Sequence, residues 1–202
     1  ILGDIGSGKS HIAKQFGYPV FNADDTVSKI YKNNRKCYLK IRKILPNHIK
    51  SFPVKKDQLL KAILVNYKNI KKIIKIVHPE VRASMNIFLK KNKNKKAVIL
   101  DIPLFLENKM NKKKDILIFI NARKKEIDKR LKKRPNYNIE IIKQLKKLQL
   151  PLEIKKKYAH FIIKNNFNNK YVEKSVKELV KKILLNDWSC SWYRNHWSIY
   201  CW

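Results

Sequence analysis

The apolar positions of this chain alternate between short unbroken runs and longer stretches at helical spacing. "PVFNAD" at 19–24 reads as a short strand ending at acids. "AVILDIP" at 97–103 and "DILIFINA" at 115–122 are apolar enough to be strands buried on both faces, and "AHFIIKN" at 159–165 is a last short one. Between them lie amphipathic segments. Ile12, Ala13 and Phe16 give one helix an apolar face, and Gly17 can stop it. Residues 26–50 read as helical through Val27, Ile30, Tyr31, Leu39, Ile41, Ile44 and Leu45. Asp57 is placed to cap a helix carrying Leu59, Leu60, Ile63 and Leu64, and a further stretch runs through Ile70, Ile74 and Val77. Pro79 stands where a new helix would begin, running through Val81, Met85 and Leu89. Residues 123–134 and 138–148 are basic helical stretches on either side of "PNYN", and 171–185 is a closing helix. Strands alternating with helices predict an α/β fold, a parallel sheet whose carboxyl edge receives the ligand. Ile1 and Leu2 supply the stump of a fifth strand, and with no initiator Met a few residues of it are expected to be missing.

Composition bounds the picture more than it fills it. A chain of 202 residues suits one α/β domain with insertions, and no apolar run approaches the ~18 residues that span a bilayer. No signal peptide is visible. Cys37, Cys190 and Cys201 are odd in number and widely spaced, which points to a reducing cytoplasm and no disulfide framework. The net charge of +33 invites a nucleic-acid reading through counterion release. The lysines are scattered over every segment, however, and no aromatic residues interleave with them as a stacking platform requires. Compositional bias toward Lys, Asn and Ile, as in "KKNKNKK", accounts for the charge more simply. Nucleic acid is therefore not the expected partner, nor is a membrane.

The chemistry begins at the first residues. "GDIGSGKS" at 3–10 fits the phosphate-loop pattern G-x-x-x-x-G-K-[ST]. Gly3, Gly6 and Gly8 allow successive backbone N–H groups to face one concavity, and the following helix adds its positive end. Lys9 is then placed for the β- and γ-phosphates and the Ser10 hydroxyl for Mg²⁺. Asp101 follows "VIL" at a strand end, where an acid can hold that ion directly or through water, or else simply close a turn. Asp24 suits two jobs, proton acceptor or helix cap, and Asp25 could do the second.

"FNAD" at 21–24, "HPEVR" at 78–82, "DIPLFLE" at 101–107 and "QLPLEIKKKYAHFIIKNN" at 149–166 follow the loop in order. Together they resemble the dephospho-coenzyme A kinase family, from Ile1 to about Leu185. The loop alone is common to many ATPases; the D-[IV]-P-L-x-x-E and Q-x-P-L-E stretches are far more specific. The resemblance implies a P-loop kinase with three α/β/α layers, a five-stranded parallel sheet, a helical acceptor insertion and a small lid. It implies transfer of the ATP γ-phosphate to the ribose 3′-hydroxyl of dephospho-CoA with Mg²⁺, in the cytoplasm. The expected divisions are a core of 1–30, 96–122 and 150–185, an acceptor region of about 31–95, and a lid of about 123–149.

Site residues follow from the same match. Asp24, Lys9 and Arg130 are the expected catalytic groups, with Asp24 taking or orienting the acceptor's proton. Gly3, Asp4, Ile5, Gly6, Ser7, Gly8, Lys9, Ser10 and His11 are expected to bind ATP together with Arg134. Asp24, His78, Arg82, Pro103, Leu104 and Glu107 are expected on the acceptor side, His78 without an acid–base role. Ser10 and Asp101 are the expected metal ligands. Arg130 and Arg134, four apart at the start of the lid, suit a transferring phosphoryl group. Gln149 and Glu153 fall in the lid-to-core segment.

The chain departs from the family pattern at four places: Asp4 and Phe167 stand where it tends to have Gly, Asn22 and His160 where it tends to have Asp. The tail "DWSCSWYRNHWSIYCW" holds all four Trp and no Lys. An aromatic partner-binding tail, a metal site from Cys190, His196 and Cys201, and out-of-frame translation compete for it; the abrupt break favours the last, and 186–202 is assigned no function. Two other classes remain alternatives to the main reading, another P-loop small-molecule or nucleoside monophosphate kinase and a nucleic-acid-binding ATPase. The want of an N-K-x-D stretch argues against a GTPase.

Overall fold

The structure, a computed structural model, describes residues 1–135 and 137–185, so the Trp-rich tail lies outside the described residues. Strands form at all five expected places: β1 (Leu2–Gly3), β2 (Val20–Asn22), β3 (Ile99–Asp101), β4 (Ile118–Ala122) and β5 (Phe161–Asn165). All pairings are parallel. They are bonded as two ladders, β1–β4–β5 and β2–β3, rather than as one continuous five-stranded sheet. The division falls beside β1, which is only two residues long; there the Ile1 nitrogen donates to the Leu100 carbonyl at 2.8 Å, across to β3.

Register lines up the strand ends that matter. Asn22 is opposite Asp101, Gly3 opposite Ile120, and Ala122 opposite Asn165. Gly3, Asn22, Asp101 and Asn165 all stand at carboxyl ends of their strands, which is the edge where open α/β sheets take their ligands.

Two apolar cores lie on opposite faces. Ile118, Ile120 and Ile163 pack with Ile12 of α1 (Lys9–Gln15), with Phe16 just beyond its end, and with Val172, Val176 and Leu179 of α9 (Asn169–Leu185). Leu2, Phe21, Leu117 and Phe119 pack instead on α2 (Ala23–Asn33), α3 (Arg35–Ile44), α4 (Lys56–Val65) and α5 (Lys68–Lys91). The period-2 alternation of a strand sends Phe119 one way and its neighbours the other. The result is the expected three-layer arrangement.

Several helix boundaries differ from the sequence expectation. The 26–50 stretch breaks at Asn34, whose extended backbone stops α2 and whose side chain accepts the Cys37 N–H at 2.8 Å to cap α3. Pro79 does not begin a helix; it lies inside α5, a single helix of 24 residues. A mid-helix proline costs ~3 kcal/mol, but Ile70, Ile73, Val77, Val81 and Met85 form one buried stripe through it. At ~1.5–3 kcal/mol for each buried side chain, packing outweighs the lost bond. Asp57 sits in the first turn of α4 without capping it; Lys55 is at the cap position. Asp24 lies in the first turn of α2, beyond the strand end expected for it, and the cap of that helix is Asn22, which accepts the Asp25 N–H at 2.8 Å. The lid stretch holds α6 (Lys124–Lys132) and α7 (Ile139–Lys147), and α8 (Leu152–Tyr158) was not foreseen. No helix among the described residues is long and apolar enough to cross a membrane.

Candidate active site

The phosphate loop is held open from below. Gly8 has φ of 88° and is the N-cap of α1, so the helix begins with its free N–H groups at the loop. A Cβ at Gly8 would lie 2.5 Å from the Asn165 amide nitrogen, so glycine is required by space as well as by dihedral. At Gly6 a Cβ would meet Leu131 at 2.9 Å, because α6 packs directly on the loop there. Ser7 contributes its backbone: the side chain is buried under the loop, and its carbonyl accepts the Asn165 side-chain N–H at 2.8 Å. Lys9 folds back over the loop, donating to the Asp4 carbonyl at 2.7 Å and the Gly3 carbonyl at 3.3 Å. Burial pulls its pKa below the usual lysine value, while Asp101 opposes that shift. Ser10 is exposed at the start of α1. His11 turns outward, where it bonds Asn169 at 3.1 Å and Gln15 at 2.9 Å on the far side of α1.

Facing the loop is a pair of carboxylates. Asp101 is buried, and one of its oxygens accepts the Asn22 amide N–H at 2.8 Å. Where the family tends to carry an acid, Asn22 thus supplies a donor, so no two carboxylates have to share that contact. Asp24 is exposed in the first turn of α2, though neighbouring protein atoms partly desolvate it. Burial and then Asp101 push its pKa up, and Lys9 and Lys56 pull the other way. At the carboxyl edge Asp101 therefore acts on both Lys9 and Asp24, and those two act on each other.

The acceptor-side residues fall into two groups. His78 and Arg82 share one face of α5. Arg82 reaches the Asn108 carbonyl at 3.3 Å, which ties α5 to the turn carrying Pro103 and Leu104. His78 is half-buried, and burial, followed by Arg82, lowers its pKa and favours the neutral ring. Glu107 is turned inward instead. It accepts the Leu150 N–H at 2.9 Å and pairs with the fully buried Lys155 at 2.8 Å, whose ammonium also reaches Gln149 at 3.0 Å. Glu153 is exposed and pairs with Lys156 at 2.8 Å.

In the stretch expected as the lid, Arg130 lies on α6 with its guanidinium 4.5 Å from the centre of the Phe167 ring. Helix α6 ends at Lys132, so Arg134 sits exposed in the following turn and does not share a helical face with Arg130. Phe167 holds φ of 60° where glycine would be at ease. Its N–H goes to Asn165 at 2.8 Å, which links it to Ser7 and the loop. His160 replaces an acid without loss of the bond an acid would make: its Nδ1 accepts the Leu117 N–H at 2.9 Å, and burial keeps it neutral. Sequence reasoning missed Asn165, Lys155 and Lys146; "FIIKNN" and "PLEIKKK" were quoted as motif, but nothing in the pattern said which Asn or Lys turns inward.

Comparison with known proteins agrees with this geometry. The sequence profile of the dephospho-CoA kinase family matches residues 1–170. A dephospho-CoA kinase of Wolbachia pipientis wMel is 31% identical over 191 residues, covering 92% of this chain and 97% of that protein. One from the Wolbachia of Brugia malayi is 32% identical with the same coverage. Among solved structures, the dephospho-CoA kinase of Campylobacter jejuni superposes with a TM-score of 0.60 at 26% identity, over 90% of this chain and 94% of that one. A Thermus thermophilus crystal structure has the same fold, with a TM-score of 0.68 at 24% identity over 90% of this chain and 95% of that one. With a loop built for polyphosphate, two carboxylates facing it and the specific motifs converging there, the chain belongs to the dephospho-CoA kinase family of P-loop kinases.

Proposed function

We propose that the chain phosphorylates the ribose 3′-hydroxyl of dephospho-CoA from ATP with Asp24 as the base and Lys9 as the principal phosphate cation. The observation that supports the assignment is the meeting of Lys9, Asp24 and Asp101 at the sheet edge, where Asp101 acts on both the others and Lys9 and Asp24 act on each other. Lys9 now rests on two loop carbonyls, bonds it can exchange for phosphate oxygens. Asp24 has its pKa raised by burial and by Asp101, which makes it a stronger base for a hydroxyl proton. Phosphoryl transfer passes through a loose transition state, so positioning and charge neutralisation supply most of the acceleration. Arg130, parked on Phe167 beside the loop, is the lid cation assigned to the transferring group, with Arg134 nearer the nucleotide. His78 and Arg82, with Pro103 and Leu104, form the acceptor wall, and Glu107 shapes it by fixing the lid's return through Lys155.

The Ser10 hydroxyl and the Asp101 carboxylate are hard oxygen donors of the kind Mg²⁺ takes. Among the described residues no cluster of three or more His, Cys, Asp or Glu could hold a metal ion, which suits an ion that draws its other ligands from phosphate and water. Bound there, Mg²⁺ would neutralise charge on the β- and γ-phosphates. The reading includes a cytoplasmic location, which the use of ATP supports, and it treats the basic surface as composition, not as a nucleic-acid site.

Asp24→Asn and Asp25→Asn, one residue apart in the same helical turn, test the assignment. Asp24→Asn is expected to lower turnover of dephospho-CoA by about 10²–10⁴-fold with ATP affinity unchanged. Asp25→Asn should stay within a few-fold of wild type. An ADP-release assay with dephospho-CoA, AMP and CMP as acceptors checks both base and substrate. Reversed roles for the two acids would refute the base, and a preference for AMP or CMP would refute the acceptor.

A further inference from the structure

A carboxylate inside a phosphate loop repels what the loop is built to hold. Asp4 lies between Gly3 and Ile5, in the run whose backbone faces the polyphosphate, yet its side chain is only 13% exposed. One oxygen accepts the Ile5 N–H at 2.7 Å. The other pairs with the Lys146 ammonium at 3.1 Å. Lys146 comes from α7, distant in sequence, whose Ile141 is buried and whose Leu145 packs against the core of the acceptor helices, as does Leu148 just beyond its end. That anchorage aims Lys146 at the loop. The loop's own Lys9 meets the same residue, on its carbonyl at 2.7 Å. Two ammonium groups therefore converge on Asp4, one at the backbone and one at the side chain. An ammonium has three donors, Lys146 has one on Asp4, and its side chain is still 38% exposed.

We propose that Lys146 is a second phosphate-binding lysine of the nucleotide site, held at the loop by Asp4, whose charge it cancels. The inference rests on the reading that residues 3–10 bind the phosphates of ATP. It explains how this chain carries an acid in its loop: the acid brings its own counter-cation, and the cation retains free donors for a phosphate oxygen. When ATP is bound Lys146 keeps Asp4 and gains the phosphate, so α7 is drawn down on the nucleotide.

Calorimetric titration of the full chain with ATP, ADP and AMP tests this. Lys146→Met should weaken ATP about tenfold or more, ADP less and AMP scarcely, because the lost term is charge against charge. Adding Asp4→Gly to Lys146→Met should restore part of the ATP affinity, since the stranded carboxylate is then gone while the lost phosphate contact is not; full restoration would leave Lys146 as a counter-ion of Asp4 alone and would overturn the proposal. Lys147→Met removes the same charge from an exposed neighbour and should change ATP affinity by less than about twofold. Lys146→Arg, which keeps both charge and reach, should bind ATP within a few-fold of wild type and guards against misfolding as the cause. Equal losses for Lys146→Met and Lys147→Met would overturn the proposal. So would a loss as large for AMP as for ATP, which marks a mere strut, or a failure of Asp4→Gly to restore binding. A wild-type chain that binds no ATP would overturn the nucleotide reading itself, whereas normal wild-type binding with an indifferent Lys146→Met removes this inference alone.

Discussion

Lys155 and Lys9 are both drawn out of water, and the protein treats them in opposite ways. In the joint between α7 and α8, the Lys155 ammonium meets Glu107 at 2.8 Å and Gln149 at 3.0 Å, with 1% of the side chain exposed. In the loop, the Lys9 ammonium has two backbone carbonyls and, among the described residues, no carboxylate in contact, and burial depresses its pKa. The joint is finished without a ligand; the loop leaves a positive charge short of its counter-charge. A buried cation with a paired carboxylate is architecture, whereas one resting on carbonyls is the arrangement expected of the proposed phosphate cation.

The contrast breaks most readily at the joint. Lys155→Met strands the Glu107 carboxylate and should cost about 3–5 kcal/mol of unfolding free energy, read from denaturant titration. Adding Glu107→Leu should recover much of it, and a loss below about 1 kcal/mol would mean that Lys155 is no keystone. In the loop, Lys9→Met should lower turnover by about 10²–10³-fold, or ~3–4 kcal/mol, while the nucleotide-free protein melts no lower than wild type. The sign follows from linkage: with its folded pKa below the unfolded value near 10.5, the unfolded chain holds the proton more tightly. Stability therefore rises with pH through the window between those two values, and at neutral pH the Lys9 charge opposes the fold. A clear drop in melting temperature for Lys9→Met would erase the distinction between the two lysines. A smaller effect sharpens it. Asn165→Ala removes the clamp on the Ser7 carbonyl and the partner of the Phe167 N–H, and should cost about 1–3 kcal/mol by thermal denaturation.

What the sequence made legible was local. The loop, four of the five strands and the closing helix each carry their signal within a dozen residues, in glycine spacing, unbroken apolar runs or a 3.6-residue period. The failures needed information from elsewhere in the chain. Pro79 read as a helix start because the stripe from Ile70 to Met85 that carries the helix through it is rewarded only by packing. Asn34 hid a break between two helices because its cap is a hydrogen bond, not a hydrophobic pattern. At the site, the motif match named Asp24, Asp101 and Glu107, but not that Glu107 faces away from solvent toward Lys155. Asn165 and Lys146 were beyond reach, since their partners Ser7 and Asp4 lie 158 and 142 positions away and one Lys among so many carries no signal.

The alternation along β4 has a mechanical consequence. Phe119 belongs to one core and Ile118 and Ile120 to the other, so a single five-residue strand is the party wall of two compartments. Loosening either compartment strips one face of that wall and withdraws the backing from the opposite face. The helices packed on either face are thus expected to share one fate under heat or denaturant, although the chain visits them in separate passes.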